Sequence, residues 1–219
     1  SIDQAAHHQL ARKAAIESSV LLKNEGQLLP LPTSANIAVI GAFAKQPRYQ
    51  GAGSSQVTPT RLDSAFESMQ TLISDPTTLR YAPGYEPTHS KPDSALIDEA
   101  VALARSADIA VVFAGLPGIY ESEGFDRQHM LLPEQHDRLI EAICDANPNT
   151  VVVLANGAPV EMPWIARPGA VLESYLSGQA GGAAVADLLF GRANPCGKLA
   201  ETFPLKPSDV LSDQWVPGS

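Results

Sequence analysis

Within seven residues, Glu121-Ser122-Glu123-Gly124-Phe125-Asp126-Arg127 carries three acids and one arginine. Carboxylates crowded this way repel one another, which raises the proton affinity of at least one of them. A carboxyl group shifted upward is what a general acid needs near neutral pH. Gly124 directly follows Glu123, so the backbone can turn there and project that carboxylate. Arg127 and Asp126 are placed to form an internal pair that holds the loop's shape. The bland reading of the same residues is a solvated charged loop. Against it stand the flanks Ile119, Tyr120, Phe125 and Met130, which are apolar or aromatic, as in a loop that packs against something. Taken alone, the stretch is an acid/base candidate without a catalytic partner.

Other chemistry-bearing patterns fail on their spacing. Gly51-Ala52-Gly53-Ser54-Ser55-Gln56 starts like a dinucleotide loop, but Gln56 stands where the third glycine is needed. The run also lies too far beyond the preceding strand to cradle a phosphate. "GRANPCGK" at 191–198 has one residue too many for a phosphate loop, and Leu199 stands where Ser or Thr would hold magnesium. Ser177 lacks the first glycine of a nucleophile elbow. No Cys-x-x-Cys or His-x-x-x-His spacing occurs, and His7 and His8 are neighbours that face different sides of a helix. The sequence implies neither a metal nor a cofactor.

The acidic stretch directly follows "DIAVVFAG", residues 108–115, an apolar run that reads as a buried strand. Similar runs are "NIAVIGA" at 36–42, "TLRYAPG" at 78–84 and "NTVVVLANG" at 149–157. "GAVLESYL" at 169–176 is a shorter, more polar strand, and "GKLAETFP" at 197–204 is read as a last one. Helical periodicity covers 4–22, 61–73, 92–107 and 133–146, and a small-residue helix follows at 180–191. Alternating strands and helices predict a three-layer α/β/α sandwich around a mostly parallel sheet of about six strands. No linker divides residues 1–219, so one domain is expected. In such a sheet ligands bind at the carboxyl ends of the strands. The acidic stretch, the "GAGSS" loop and "NGAPVEMP" all lie on that edge.

A net charge of −9 argues against non-specific nucleic-acid binding. No run of eighteen apolar residues exists to span a membrane. Two cysteines, Cys144 and Cys196, are too few for a disulfide framework, and Cys144 falls on the apolar side of a helix. With no export signal in view, a cytoplasmic location is expected, secretion or the periplasm being the alternatives.

The blocks "ARKAAIESSVLLKNEGQLLPL", "IAVIG", "QGAGSSQV", "ESEGFDR", "LLPEQHDRLIEAI", "TVVVLANGAPVEMPW" and "LSGQAGGAAVADLLFGRANPCGKLAETFP" together resemble the second domain of family 3 glycoside hydrolases, the β-glucosidase group. The resemblance runs from about residue 9 to 205, in the family's order. It implies a retaining β-glycosidase in which an N-terminal (β/α)₈ barrel carries the nucleophile and most sugar contacts. An (α/β)₆ sandwich then supplies the acid/base from a loop. By the family's Glu-Gly pattern, Glu123 is that acid/base and Glu121 the runner-up. Asp126 and Arg127 shape the loop. Gly53, Ser54 and Ser55 border the substrate near the domain interface. Cys196 departs from the Ser expected in "NPSGKL", a small-residue swap.

No eightfold strand–helix repeat is present, so the chain is expected to be a fragment or excised domain, inactive alone, whose partners are the barrel and a β-glucoside or related oligosaccharide. Glu123 is then expected in open solvent without a raised pKa, beside exposed apolar side chains that would dock the barrel. The rival reading is a stand-alone flavodoxin-like module that binds a sugar or anion without catalysis.

Overall fold

A computed structural model of the chain describes residues 2–89, 91–124 and 126–209. Six strands form one sheet: β1 (Val20–Asn24), β2 (Ile37–Ile40), β3 (Leu79–Ala82), β4 (Ile109–Gly115), β5 (Thr150–Ala155) and β6 (Ala170–Glu173). Their order across the sheet is β1-β6-β5-β4-β2-β3. All pairs are parallel except β1 with β6, which is antiparallel and carries a bulge between Leu21 and Lys23. The central strands β2 and β4 are buried at every position, which is why their sequences are unbroken apolar runs rather than alternating ones.

Five helices cover the faces: α1 (Gln4–Ser18), α2 (Ala65–Gln70), α3 (Ser94–Arg105), α4 (Glu134–Ala146) and α5 (Gly181–Leu189). The first, second and fifth pack together, and α3 packs with α4, giving the expected three layers. The small residues of α5 allow close approach. A Cβ on Gly182 would lie 2.3 Å from the Asp63 carbonyl oxygen. Polar clamps then fix α1 to this layer. Buried His8 bonds Asp63 at 2.8 Å and Gln179 at 2.8 Å, and Arg12 grips Asp187 through two bonds of 2.7 Å. His7 is exposed, as adjacent helical positions require.

Three elements differ from the sequence reading. The first helix ends at Ser18, because the Ser18 and Ser19 hydroxyls donate to the Ala15 carbonyl and Ser19 turns extended. Residues 20–24 become the antiparallel edge strand β1. The strand expected at 197–204 is absent: β1 already occupies the edge beside β6, and Gly197 instead bonds the Ser19 carbonyl at 3.1 Å. The helix expected over 61–73 contracts to six residues, because Asp63 is held by the Gln179 carbonyl and Ser64 caps the first turn.

From β2 the chain winds outward to β3, then returns across β2 to β4 and continues through β5 to β6. The connections leaving the carboxyl ends of β2 and β4 therefore diverge between these neighbours. Such a reversal opens a crevice at the carboxyl edge, the usual ligand site of an open α/β sheet.

Candidate active site

Two segments meet at that crevice, the loop after β2 with Gly53-Ser54 and the loop after β4 with Glu121-Ser122-Glu123. The second is anchored at its root. Gly115 has φ +149°, and a Cβ there would lie 2.0 Å from the Ala155 carbonyl oxygen, so no side chain fits. The Gly115 N–H donates to His136 Nδ1 at 3.2 Å, and Leu116 N–H donates to Ala155 at 3.0 Å. Burial pushes His136 down to about 3, so it is a neutral acceptor. Beneath the crevice, Tyr85 donates its hydroxyl to the Phe113 carbonyl at 2.9 Å and accepts the Phe43 N–H at 3.2 Å.

Glu121 and Glu123 have opposite environments. The Glu121 side chain is 12% exposed. Both of its oxygens accept the Gly157 N–H, at 3.0 and 2.9 Å. Arg48 lies 3.8 Å from one oxygen and Arg127 lies 3.9 Å from the other. These arginines are also tied to main chain: Arg48 donates to the Leu116 carbonyl at 3.0 Å and the Glu121 carbonyl at 3.2 Å, and Arg127 donates to Pro159 and His129 carbonyls at 3.2 Å each. Burial lowers both guanidinium pKa values from their usual range, with Glu121 opposing. A carboxylate held by a backbone N–H and two cations is a structural anion.

Glu123 is exposed, with its N–H donating to the Ala52 carbonyl at 3.2 Å. Its carboxylate accepts from the Ser54 hydroxyl and, at 2.8 Å, from the Ser54 N–H. The hydroxyl first and the N–H second hold this carboxyl below the ordinary glutamate value. An open depression of about 430 Å³ adjoins it, between Tyr120, Glu121, Glu123, Arg127 and the 157–158 turn. Exposed apolar side chains stand in the loops of this edge: Val57, Ile119 and Leu131.

The sequence-predicted site residues thus divide. Gly53, Ser54 and Glu123 come together, although Gly53 supplies room for Glu123 rather than a polar contact. Ser55 is exposed, and its hydroxyl faces Gly51 rather than Glu123. Asp126 is exposed, and its expected pairing with Arg127 is replaced by the Arg127–Glu121 contact. Glu123 stands in open solvent with its carboxyl lowered rather than raised, in line with the expectation for this chain. Two carboxyls outside the loop are raised by burial: Asp137 to about 6, and Glu173 at the end of β6, fully buried and pushed up to about 8, chiefly by burial and additionally by Glu121. Sequence reading passed over Glu173; the only signal was a glutamate inside the apolar run "AVLES". Among the described residues, no three His, Cys, Asp or Glu side chains gather as metal ligands, and no helix is long and apolar enough to cross a membrane.

Comparison with known proteins places the chain in a family. The family model for the glycosyl hydrolase family 3 C-terminal domain matches residues 19–217. Over 216 residues, covering 99% of this chain, it is 59% identical to thermostable beta-glucosidase B of Acetivibrio thermocellus. It is 44% identical over 226 residues to an exo-alpha-(1->6)-L-arabinopyranosidase of Bifidobacterium longum. The GH3 beta-glucosidase of Bifidobacterium adolescentis superposes with a TM-score of 0.93 at 43% identity, covering 100% of this chain and 32% of that one. The chain spans 29% and 30% of the length of the two relatives compared by sequence. Sequence and architecture agree, and the chain belongs to the glycosyl hydrolase family 3 C-terminal domain family.

Proposed function

We propose that this chain is a single α/β sandwich domain of a retaining β-glycosidase, β-glucosidase-like, and that Glu123 is its general acid/base. An N-terminal (β/α)₈ barrel of the same protein forms the other wall of the active site and carries the nucleophile. One observation supports this most: of the two candidates, Glu123 is the carboxylate left open at the crevice between β2 and β4, while Glu121 is consumed by Gly157, Arg48 and Arg127. The lengths of the relatives support a partner domain.

Retaining hydrolysis uses two carboxyl groups about 5–5.5 Å apart. In the first step the barrel's carboxylate attacks the anomeric carbon, while Glu123 gives its proton to the departing glycosidic oxygen. In the second, Glu123 takes a proton from water as that water attacks the glycosyl intermediate. On its own the chain holds the Glu123 carboxyl below the ordinary glutamate value through Ser54. A docked wall withdraws water from the carboxylate and raises its proton affinity, so the acid is made when the site is closed.

The test is turnover of nitrophenyl β-D-glucopyranoside and nitrophenyl α-L-arabinopyranoside, in parallel because the relatives' names divide between these glycones. The 219-residue chain alone should be inactive on both, and the protein joined to its barrel active on at least one. Clear turnover by the chain alone would overturn the proposal.

A further inference from the structure

Glu173 has no step in that scheme, yet it sits where two turns of the carboxyl edge meet. Its side chain is fully buried at the end of β6. One carboxyl oxygen accepts the Tyr175 N–H at 2.7 Å, and the other accepts Asn156 Nδ2 at 3.0 Å. The same Asn156 nitrogen donates to the Ala158 carbonyl at 3.1 Å, which fixes the amide's orientation. Between Asn156 and Ala158 lies Gly157, whose N–H is shared by both oxygens of Glu121. On the other side, Tyr175 is held at φ +54°, a left-handed backbone that a non-glycine residue adopts only when its surroundings impose it. Leu176 follows, and its Cδ1 would lie 3.2 Å from a Cβ on Gly157.

We propose that Glu173 is a positioning residue: it ties the Asn156–Gly157 turn to the Tyr175–Leu176 turn, and through the Gly157 N–H it seats Glu121 and the loop that carries Glu123. Both of its partners are donors. A carboxyl group can accept from both, whereas a glutamine of the same shape presents one oxygen and one NH₂, so one donor is left facing another. The groups around Glu173 explain why burial there is tolerated. Glu121, from the acidic loop, is an anion that Arg48 and Arg127 offset; Tyr175 is an uncharged phenol, itself near Glu201; and Asn156 carries no charge. Burial and Glu121 raise the Glu173 carboxyl to about 8, while the Tyr175 and Asn156 donors, which favour the carboxylate, oppose that rise.

Amide hydrogen exchange on the 219-residue chain tests the structural half. Glu173→Gln should make the Gly157 and Tyr175 amides exchange about tenfold faster, the factor set by one ordinary hydrogen bond, and leave Val39 and Val111 unchanged. The wild-type Gly157 amide resonance should also shift with a midpoint near pH 8, and the variant should lose that step. Asn156→Ala cuts the same link from the other side and carries the measurement if Glu173→Gln does not fold. Unchanged Gly157 protection, or uniform loosening of all amides, would overturn the inference. The kinetic half rests on Glu123 as acid/base. In the full-length enzyme Glu173→Gln should lower kcat about tenfold or more with KM little changed, and an unaltered kcat beside a loosened Gly157 would also overturn it. Kinetics insensitive to Glu123→Ala would remove the proposed function while leaving the exchange result in place.

Discussion

Replacing Gly53 by alanine asks whether the glycine matters because it makes room for Glu123. At φ +94° the new side chain occupies a left-handed backbone, which costs about 1–2 kcal/mol. Its Cβ would also lie 2.6 Å from Glu123 Cβ, whereas ordinary contact begins at 3.4 Å. The two must separate by 3.4 − 2.6 = 0.8 Å. Both residues are exposed, and the Glu123 loop is tied to the Gly53 loop through Ala52 and Ser54, so the separation displaces the Glu123 carboxylate from its seat. A misplacement of about 1 Å at a reacting group lowers turnover about 100-fold. Gly26→Ala is the control: its φ is +61°, nothing lies within 4 Å of a Cβ there, and it stands between β1 and β2, outside the crevice. Urea unfolding should therefore give similar losses for the two variants. Nitrophenyl β-glucoside kinetics on the full-length enzyme should show a kcat lower by about two orders of magnitude for Gly53→Ala alone. A Gly53→Ala enzyme within a few-fold of wild type would refute the reasoning.

Ser54→Ala removes the hydroxyl that, with the Ser54 N–H, holds the Glu123 carboxyl below the ordinary glutamate value. In the isolated chain, carbon-detected NMR titration should find the Glu123 carboxyl shifted upward, toward the ordinary glutamate value. Glu173 should make stability pH-dependent. Its pKa is about 8 when folded against 4.5 for an ordinary glutamate, so the folded state holds an extra proton between those limits. Its contribution is fully present below pH 4.5 and is lost as pH rises through about 8, at about 1.4 kcal/mol per pH unit at most. In urea unfolding the advantage of wild type over Glu173→Gln should shrink with that slope as pH rises. A pH-independent difference would remove Glu173 as the titrating group.

The central strands were legible because β2, β4 and β5 are buried on both faces and must be written as apolar runs such as "AVVFAG". Edge strand β1 was not, since Leu21 and Leu22 prolong a helical stripe and only Ser18-Ser19 mark the break. The acidic loop could be found because its charge is concentrated in sequence. What its charges do is decided at long range: Glu123 meets Ser54, Glu121 meets Gly157, and Arg127 turns from its neighbour Asp126 to Glu121 and Pro159. Spacing carries no record of such contacts. Glu173 was hidden for the same reason, its role being set by Asn156 on another strand's turn.

Leaving-group dependence in the full-length enzyme tests the assignment of Glu123 most directly. Glu123→Ala should cripple hydrolysis of an alkyl or phenyl β-glucoside, whose oxygen needs the proton, and spare a dinitrophenyl β-glucoside, whose oxygen does not; Glu121→Gln, which keeps Glu123 as the donor, should discriminate far less. Equal loss across leaving groups for Glu123→Ala, or selective loss for Glu121→Gln instead, would contradict the account.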